Sequence, residues 1–311
     1  MYKGKPAHLY QHTSRSGSKE DHQSILLTQY LAMSKTQNDH WSSEAYQNSA
    51  SFVPKLATKI LQWLDPQSDD VILDIGCGDG IIDLQIAAVL AQGSGKVHGT
   101  DSSRSMIESS QKAAGEAGVT RCTFEVVDAL EIINTPSLQR GTFTKAFSNA
   151  AMHWILRCPQ SRRESFFRGI RESLKPGGTF AFEMGGLGNV SEMRAGLLMG
   201  VARRVGMARA LEADPWFFPD EDWVTEILEK TVGGWKVERV EREWRPTPAD
   251  KGGVDGWVRL MGKQFFEAIN DGKEREECVR EVVQVLEEVC RNPSGGFMFS
   301  YVRLRVLARK I

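Results

Sequence analysis

The sequence lacks an apolar run long enough to cross a membrane, and its polar stretch from Met1 to Asp39 lacks the apolar segment of a signal peptide. It also lacks a basic cluster, because its 39 Lys and Arg residues are spread along the chain and balanced by 40 Asp and Glu. We therefore expect a cytoplasmic protein with no membrane or nucleic-acid partner. We therefore expect the partner to be a small or neutral molecule.

Cysteine is scarce, and its spacing carries no metal or redox motif. There are five cysteines, an odd number, and no two form a CxxC pair. They are Cys77, Cys122, Cys158, Cys278 and Cys290. We therefore predict neither a disulfide framework nor a metal site.

Strand-like and helix-like patterns alternate through the middle of the chain, which predicts βαβ units and a parallel sheet with helices on both faces. The predicted strands are Val71–Asp74, Lys96–Thr100, Thr123–Val127, Lys145–Ser148 and Thr179–Glu183. The predicted helices between them are Ile81–Ala91, Ser105–Ala117 and Ser161–Leu174, and a turn is predicted at Lys175-Pro-Gly-Gly178.

Helical patterns dominate the rest of the chain, with two further strands at Trp235–Trp244 and Phe297–Ala308. Helices are predicted over Ser191–Leu211 and Glu221–Lys230, and two more within Val254–Cys290. The predicted fold is α/β, a Rossmann-like doubly wound sheet of seven mostly parallel strands with an N-terminal helical lid and helical insertions. Its predicted parts are a tail (1–37), the lid (38–65), the core (66–190), and the cap with the last two strands (191–311).

A glycine-rich turn follows the first strand, in the run Val71-Ile-Leu-Asp-Ile-Gly-Cys-Gly-Asp-Gly80. A strand ending at Asp74, then Gly76, Gly78 and Gly80, then an apolar helix, lets the backbone approach a ligand at a helix N-terminus. Asp101 ends the next strand, where a carboxylate can accept both hydrogen bonds of a ribose diol. The turn alone is weak evidence, because a tight strand-to-helix connection has the same composition.

Dinucleotide enzymes are the nearest alternative, and two features argue against them. Ile81 stands where G-x-G-x-x-G requires its third glycine, and no tyrosine occurs between Tyr46 and Tyr301 to supply the Tyr-x-x-x-Lys of short-chain dehydrogenases. Asp128 follows the third strand and can accept a hydrogen bond from an adenine amino group, or it can be a solvated turn residue. Three aspartates at the ends of three consecutive strands favour a ligand site.

Four longer runs strengthen the nucleotide interpretation and narrow it. They are Gly99-Thr-Asp-Ser-Ser-Arg-Ser-Met-Ile107, Ser148-Asn-Ala-Ala-Met-His-Trp-Ile155, Leu174-Lys-Pro-Gly-Gly178 and Val302-Arg-Leu-Arg-Val-Leu-Ala-Arg-Lys310. From Asp39 to Lys310 the chain resembles the class I S-adenosylmethionine (SAM) dependent methyltransferases. Within them it is similar to the trans-aconitate and juvenile hormone acid methyltransferases, which methylate carboxyl oxygens of small molecules.

The resemblance implies SAM as the cofactor, with Gly76, Gly78 and Gly80 shaping its turn, Asp101 at the ribose and Asp128 at adenine. The other implied cofactor residues are Trp41 and Tyr46 in a helix that closes over the cofactor, Asp74, Ser102, Met106, Ala129 and Asn149 with Ala150 beside it. Core packing of a short helix is the alternative for Trp41 and Tyr46. One departure concerns the acceptor, because Val53 stands where the carboxyl methyltransferases carry Gln, Glu or Arg.

Methyl transfer from a sulfonium needs alignment and a dry pocket more than covalent help, and aromatic faces can line such a pocket. The predicted substrate residues are Trp154, Met184, Trp216, Phe217 and Phe218, while Trp257 fits the core better. His153 is the predicted general base for a hydroxyl acceptor, with a structural histidine as the alternative. Arg259 and Arg303 could pair with an acidic acceptor, although surface salt bridges explain them more simply.

The predicted function is transfer of the SAM methyl group to a carboxyl or hydroxyl oxygen of a small molecule in specialised metabolism. N- or C-methylation remains open, because the SAM motif does not encode the acceptor. A non-catalytic SAM-binding regulator also remains open, although the intact glycine turn with Asp101 argues for retained cofactor binding.

Overall fold

The computed structural model describes residues 57–311. Seven strands form one sheet in the order β3-β2-β1-β4-β5-β7-β6, parallel from β3 to β5, with β7 antiparallel to both of its neighbours. The strands are β1 (Val71–Ile75), β2 (Lys96–Asp101), β3 (Cys122–Val126), β4 (Phe143–Asn149), β5 (Leu174–Gly185), β6 (Trp235–Pro248) and β7 (Met298–Lys310). The predicted doubly wound sheet of seven strands is confirmed.

Helices cover both faces of the sheet because its inner strands are apolar on both sides, as strands of parallel sheets usually are. The helices of the core are α1 (Thr58–Leu64), α2 (Ile81–Leu90), α3 (Arg104–Glu116), α4 (Met152–Ile155) and α5 (Gln160–Ser173). Helices α1 and α2 share one face, where Ile60 and Ile86 pack with Ile72 of β1, Phe147 of β4 and Ala181 of β5. This face carries the polar groups described below.

A helical cap follows β5 and has a hydrophobic core of its own. Its helices are α6 (Ser191–Val205), α7 (Met207–Ala213), α8 (Glu221–Thr225), α9 (Gly253–Met261), α10 (Lys263–Glu267) and α11 (Gly272–Cys290). Leu197, Trp257, Phe265 and Val282 are all buried in this core. The structure thus places Trp257 in the cap interior.

Several predicted element bounds were wrong, each for a local reason. The helix predicted over Ser191–Leu211 is two helices, because Gly206 adopts a φ of 84° that ends α6. The segment predicted as a turn, Lys175–Gly178, lies within β5, where the pairing jumps from Phe143↔Leu174 to Lys145↔Thr179. The helix predicted over Glu221–Lys230 continues from α8 as a π-helical segment, Glu226–Val232.

Other differences concern short helices that the patterns did not indicate. These are the 3-10 helix Ala129–Asn134, α4 and the additional helix α10. The predicted tail, most of the predicted lid, and Trp41, Tyr46 and Val53 lie outside the described residues. Within residues 57–311, no helix combines the length and the apolar character needed to cross a membrane.

Candidate cofactor and active site

The glycine turn between β1 and α2 requires its glycines for backbone reasons. Gly76, Gly78 and Gly80 have φ angles of 73°, 59° and 76°, in the left-handed region that other residues resist. A Cβ on Gly76 would lie 2.3 Å from the Ala151 Cβ, whereas one on Gly78 would meet no atom within 4 Å. The turn is therefore closely packed at Gly76 and open at Gly78, where a ligand could lie against the backbone.

Asp101 ends β2 and holds this turn in place. Its Oδ2 accepts a hydrogen bond from the Gly78 amide (3.1 Å), and its Oδ1 accepts one from the Ser103 amide (2.8 Å). A carboxylate is the suitable group here because it has two oxygens and about four acceptor positions. Asp101 therefore links the glycine turn to the N-terminus of α3.

Two buried carboxyl groups lie beneath the turn, Asp74 on β1 and Asp83 in the first turn of α2, and each affects the pKa of the other. Burial raises the pKa of Asp74 to about 7, with the negative charge of Asp101 adding to the effect. Burial, and the charge of Asp74, raise the pKa of Asp83 well above its usual range. The described residues supply no hydrogen-bond partner for Asp74 Oδ1 or for either oxygen of Asp83.

The predicted adenine-side residues occupy the carboxyl ends of β2 and β3. Asp128 Oδ1 accepts from the Leu130 amide (2.9 Å) and so caps the 3-10 helix. Met106 and Ala129 are buried, whereas Ser102 is exposed. The structure brings these residues to the same end of the sheet as the glycine turn, and their contact with adenine stays a prediction.

The segment after β4 is strained and lies directly against the glycine turn. Ala150 has a φ of 58°, unusual for a residue with a Cβ, and its amide donates to the Glu183 carbonyl (2.8 Å). The preceding residue, Asn149, is buried, and its Oδ1 has no partner among the described residues. Backbone strain and an unsatisfied buried amide in adjacent residues are typical of a functional site.

His153 lies in α4, immediately beyond this strained segment, and it is buried. The Gly185 amide donates to His153 Nδ1 (3.3 Å), which assigns the imidazole proton to Nε2. Burial, reinforced by the positive charge of Arg303, lowers the pKa of His153 to about 3. The imidazole is therefore neutral near pH 7, and the nitrogen that could accept a proton already accepts a hydrogen bond.

The predicted aromatic residues separate into groups. His153, Trp154, Trp216 and Phe218 form one continuous cluster, with ring centroids 5.6 to 5.7 Å apart. The Trp216 ring also packs against Phe265 in the cap core, so it joins the cluster to the cap.

Two predicted substrate residues lie apart from this cluster. Phe217 stacks under the Arg163 guanidinium, 3.7 Å from its ring centroid, and contacts Trp223. Met184 is fully buried and follows Glu183 on β5, so its side chain points to the opposite face of the sheet. The structure thus brings Trp154 and Phe218 to His153, and it leaves Phe217 and Met184 outside that group.

A buried ionic group was not anticipated from the sequence. Glu183 of β5 is almost fully buried and lies among Arg245, Arg303 and Arg305 of β6 and β7. Arg303 is itself only 2% exposed, whereas Arg259 pairs with Asp255 and Glu276 on the surface. The surface interpretation is therefore right for Arg259 and wrong for Arg303. Charged residues of opposite sign alternate with apolar residues in β6 and β7, and this pattern was the signal in the sequence that could have indicated the ionic group.

The fold and this site together define a class I SAM-dependent methyltransferase. A family model described as a methyltransferase domain matches residues 66–196, from β1 to the start of the cap. The glycine cradle, the acceptors of Asp101 and the unsatisfied Asp74 Oδ1 suit a ligand that offers a ribose diol and N–H donors. SAM is the cofactor of this class.

The chain is also similar to a known protein over most of its length. It is 35% identical over 276 residues to an uncharacterized methyltransferase of Schizosaccharomyces pombe, covering 88% of this chain and 98% of the relative. The protein therefore belongs to this methyltransferase family.

Solved structures agree on the fold. A candidate methyltransferase from Bacillus halodurans superposes with a TM-score of 0.55 at 14% identity, covering 82% of this chain and 99% of that one. Phosphoethanolamine N-methyltransferase 2 of Haemonchus contortus, in complex with phosphomonomethylethanolamine and S-adenosylhomocysteine, gives a TM-score of 0.51 at 19% identity, covering 89% of this chain and 59% of that one. At these identities the likeness concerns the fold.

Proposed function

We propose that the protein transfers the methyl group of SAM to a carboxylate oxygen of a small molecule. The observation that carries the choice of acceptor is the state of His153, which is neutral and accepts the Gly185 N–H at Nδ1. A hydroxyl acceptor needs a base to remove its proton, whereas a carboxylate is already ionised and needs none. His153 then acts as a hydrogen-bond donor through Nε2–H and orients the acceptor oxygen.

The cofactor supplies an electrophilic methyl group whose sulfonium charge disappears as the new bond forms, so the chain contributes alignment and the exclusion of water. The Trp154 and Phe218 rings supply the apolar wall, and Asn149 offers an unsatisfied amide oxygen beside them. On the cofactor side, Asp101 would accept the ribose hydroxyls and Asp74 Oδ1 an N–H of the methionine moiety.

The resemblance to the trans-aconitate and juvenile hormone acid methyltransferases supports a carboxyl acceptor. Val53 argues against the same acid, because an apolar side chain replaces the polar residue that such enzymes direct at their substrate. We therefore propose a different or larger acid, consistent with specialised metabolism, as the acceptor.

A matched acceptor series tests this proposal. The full chain is incubated with SAM and with a carboxylic acid, a primary alcohol and a primary amine of one carbon skeleton, over a set of skeletons, and methylated products are identified by mass spectrometry. Methyl esters should form, and His153 should add no pH dependence to their rate between about pH 6 and pH 8, because its pKa of about 3 lies below that range. Methylation of alcohols or amines in place of acids would contradict the proposal.

The His153→Asn and His153→Ala variants separate orientation from base catalysis. If His153 is a donor, His153→Asn should retain more ester formation than His153→Ala, because an amide can still donate a hydrogen bond. The two variants should keep the pH profile of the wild-type protein. A wild-type profile that rises with pH and becomes flat in both variants would identify His153 as a base instead.

A further inference from the structure

Arg303 is a buried arginine whose Nε donor is unused. The residue is 2% exposed, and no described residue accepts a hydrogen bond from its Nε. Its interactions are a 3.6 Å approach of Nε to Glu183 Oε1 and a stacking contact with the Tyr301 ring, 4.7 Å from the ring centroid. A guanidinium has five N–H donors, and leaving them unmet away from water is costly.

The local structure does not require Arg303 to neutralise Glu183. Arg305 Nε already donates to Glu183 Oε2 at 2.5 Å, and Arg245 lies 3.4 Å from Oε1. Arg305 also bonds Glu241 and Glu243 of β6, and Lys59 pairs with the same two glutamates, so Arg245, Arg305 and Lys59 balance the three carboxylates without Arg303. Arg303 is therefore an additional positive charge whose counterion is not Glu183 alone.

The position of Arg303 connects it to the methyl-transfer site. Residues two apart on a strand share a face, so Arg303 lies on the same face as Arg305 and Leu307, and Leu307 packs in the cluster that contains Ile72 and Phe147. By the same rule Asp74 and Asn149 lie on that face. Neighbouring strands are about 4.8 Å apart, so the two steps from β4 through β5 to β7 separate Asn149 and Arg303 by roughly 10 Å laterally.

Arg303 also lies at the end of the sheet where such sites occur. It is paired in register with Gly185, the last residue of β5, whose amide bonds His153. Ligands of open α/β sheets bind outside the carboxyl ends of the parallel strands. Arg303 and His153 therefore both lie next to Gly185, and the strand of Arg303, β7, is on the side of β5 away from the glycine turn.

We propose that Arg303 is a specificity-determining residue that binds an anionic group of the acceptor, a carboxylate or a phosphate distinct from the oxygen being methylated. This inference rests on the proposed function, because it places the acceptor between Asn149 and Arg303. A planar guanidinium forks onto either anion through two parallel hydrogen bonds, which fixes orientation as well as charge. The acceptor is then held at its far end while its reacting oxygen lies near His153.

The test measures binding of small anions to the full chain loaded with S-adenosylhomocysteine, the demethylated cofactor. Glutarate, its neutral diamide and butylphosphonate are titrated by calorimetry into the wild-type protein, Arg303→Gln, Arg303→Lys and the surface control Arg259→Gln. The wild type and Arg259→Gln should bind an anion and not the diamide. Arg303→Gln should bind at least about tenfold more weakly, since charge-assisted hydrogen bonds are lost, and Arg303→Lys should fall between.

Thermal unfolding without anion distinguishes ligand binding from a structural role. Arg303→Gln should be as stable as the wild type or more stable, because Glu183 keeps its other partners and a buried excess charge is removed. If the wild type binds glutarate more tightly than butylphosphonate, the anionic group of the acceptor is a carboxylate. If it binds butylphosphonate more tightly, that group is a phosphate.

Failure of this inference and failure of the proposed function give different results. Equal anion affinity in wild type and Arg303→Gln, or no anion binding by the wild type, would overturn the role of Arg303 while cofactor binding stays intact. Lower thermal stability of Arg303→Gln with unchanged anion binding would identify a structural residue instead. Absence of S-adenosylhomocysteine binding by the folded wild type would overturn the proposed function, and this inference with it.

Discussion

Replacing Asp83 by asparagine should stabilise the protein, and increasingly so as the pH rises. Asp83 and Asp74 are both buried, and burial together with the charge of Asp74 raises the pKa of Asp83, so at least one of the two carboxyls keeps its proton near neutral pH. The other charged neighbours that act on the pair, Asp79 and Asp101, are acidic as well. No described cation therefore compensates the pair, and ionisation of both carboxyls is unfavourable.

The size and sign of the effect follow from the raised pKa of Asp74. The folded state holds a proton that the unfolded chain releases above its ordinary pKa, so stability is highest at low pH and decreases as the pH rises. With a pKa of about 7 in place of 3.8, and about 1.4 kcal/mol for each pKa unit, such a carboxyl costs roughly 4 to 5 kcal/mol of stability above pH 7. Asp83, whose pKa is also raised by burial and by the charge of Asp74, contributes a loss of the same kind, and Asp83→Asn removes that contribution.

The assay is chemical denaturation of both proteins between about pH 5 and pH 8. The free energy of unfolding of Asp83→Asn relative to wild type should increase by roughly 2 to 3 kcal/mol between the low and the high end of this range. The control is Asp70→Asn, which removes a carboxylate that pairs with Lys145 (2.9 Å) and Thr144 (2.7 Å), and should destabilise at neutral pH. If the free energies of unfolding of wild type and Asp83→Asn changed with pH in parallel, the reasoning would be refuted.

Three further variants test the cofactor and acceptor sites. Asp101→Ala should weaken S-adenosylhomocysteine binding by at least about 30-fold in calorimetry, because charge-assisted hydrogen bonds to the turn and the ribose are lost. The control Asp69→Ala removes similar bonds to Ser94 at the other end of β2 and should leave this affinity unchanged. Gly76→Ala should cost about 2 to 4 kcal/mol in urea unfolding, from backbone strain and overpacking, whereas Gly118→Ala, with a φ of 64° and no neighbour within 4 Å, should cost about 1 kcal/mol. Trp154→Ala should leave S-adenosylhomocysteine affinity within about twofold and reduce turnover at least about tenfold, since it removes an apolar wall of the acceptor site rather than a cofactor contact. If affinity and turnover decreased equally, Trp154 would be a cofactor-binding residue instead.

The sheet and its glycine turn could be predicted because their signals are local. Val71–Ile75 is an apolar run that ends in glycines, and the left-handed φ angles at Gly76, Gly78 and Gly80 are ones that glycine adopts without strain. Asp101 and Asp128 could be placed because parallel strands bring their carboxyl ends to one edge. A helix of four residues such as α4 leaves no periodic signal, so the positions of His153 and Trp154 needed the structure.

The directions of the aromatic and charged side chains depend on packing between distant elements. Consecutive residues Phe217 and Phe218 diverge, one to Arg163 and the other to His153, because α5 and α4 lie on opposite sides of their segment. The alternating pattern of Val302-Arg-Leu-Arg305 is typical of a strand with one solvent face. In the structure Glu183 of β5 lies against both arginines and the Tyr301 ring lies against Arg303, which is buried.

Calorimetric titration of S-adenosylhomocysteine into the wild-type protein and Asp101→Ala tests the central claim most directly. The account predicts one binding site in the folded wild type and at least about a 30-fold loss of affinity in the variant, with its thermal unfolding still cooperative. A folded wild-type protein that binds neither SAM nor S-adenosylhomocysteine would contradict the methyltransferase assignment. Equal affinity in the two proteins would contradict the placement of the cofactor at Asp101.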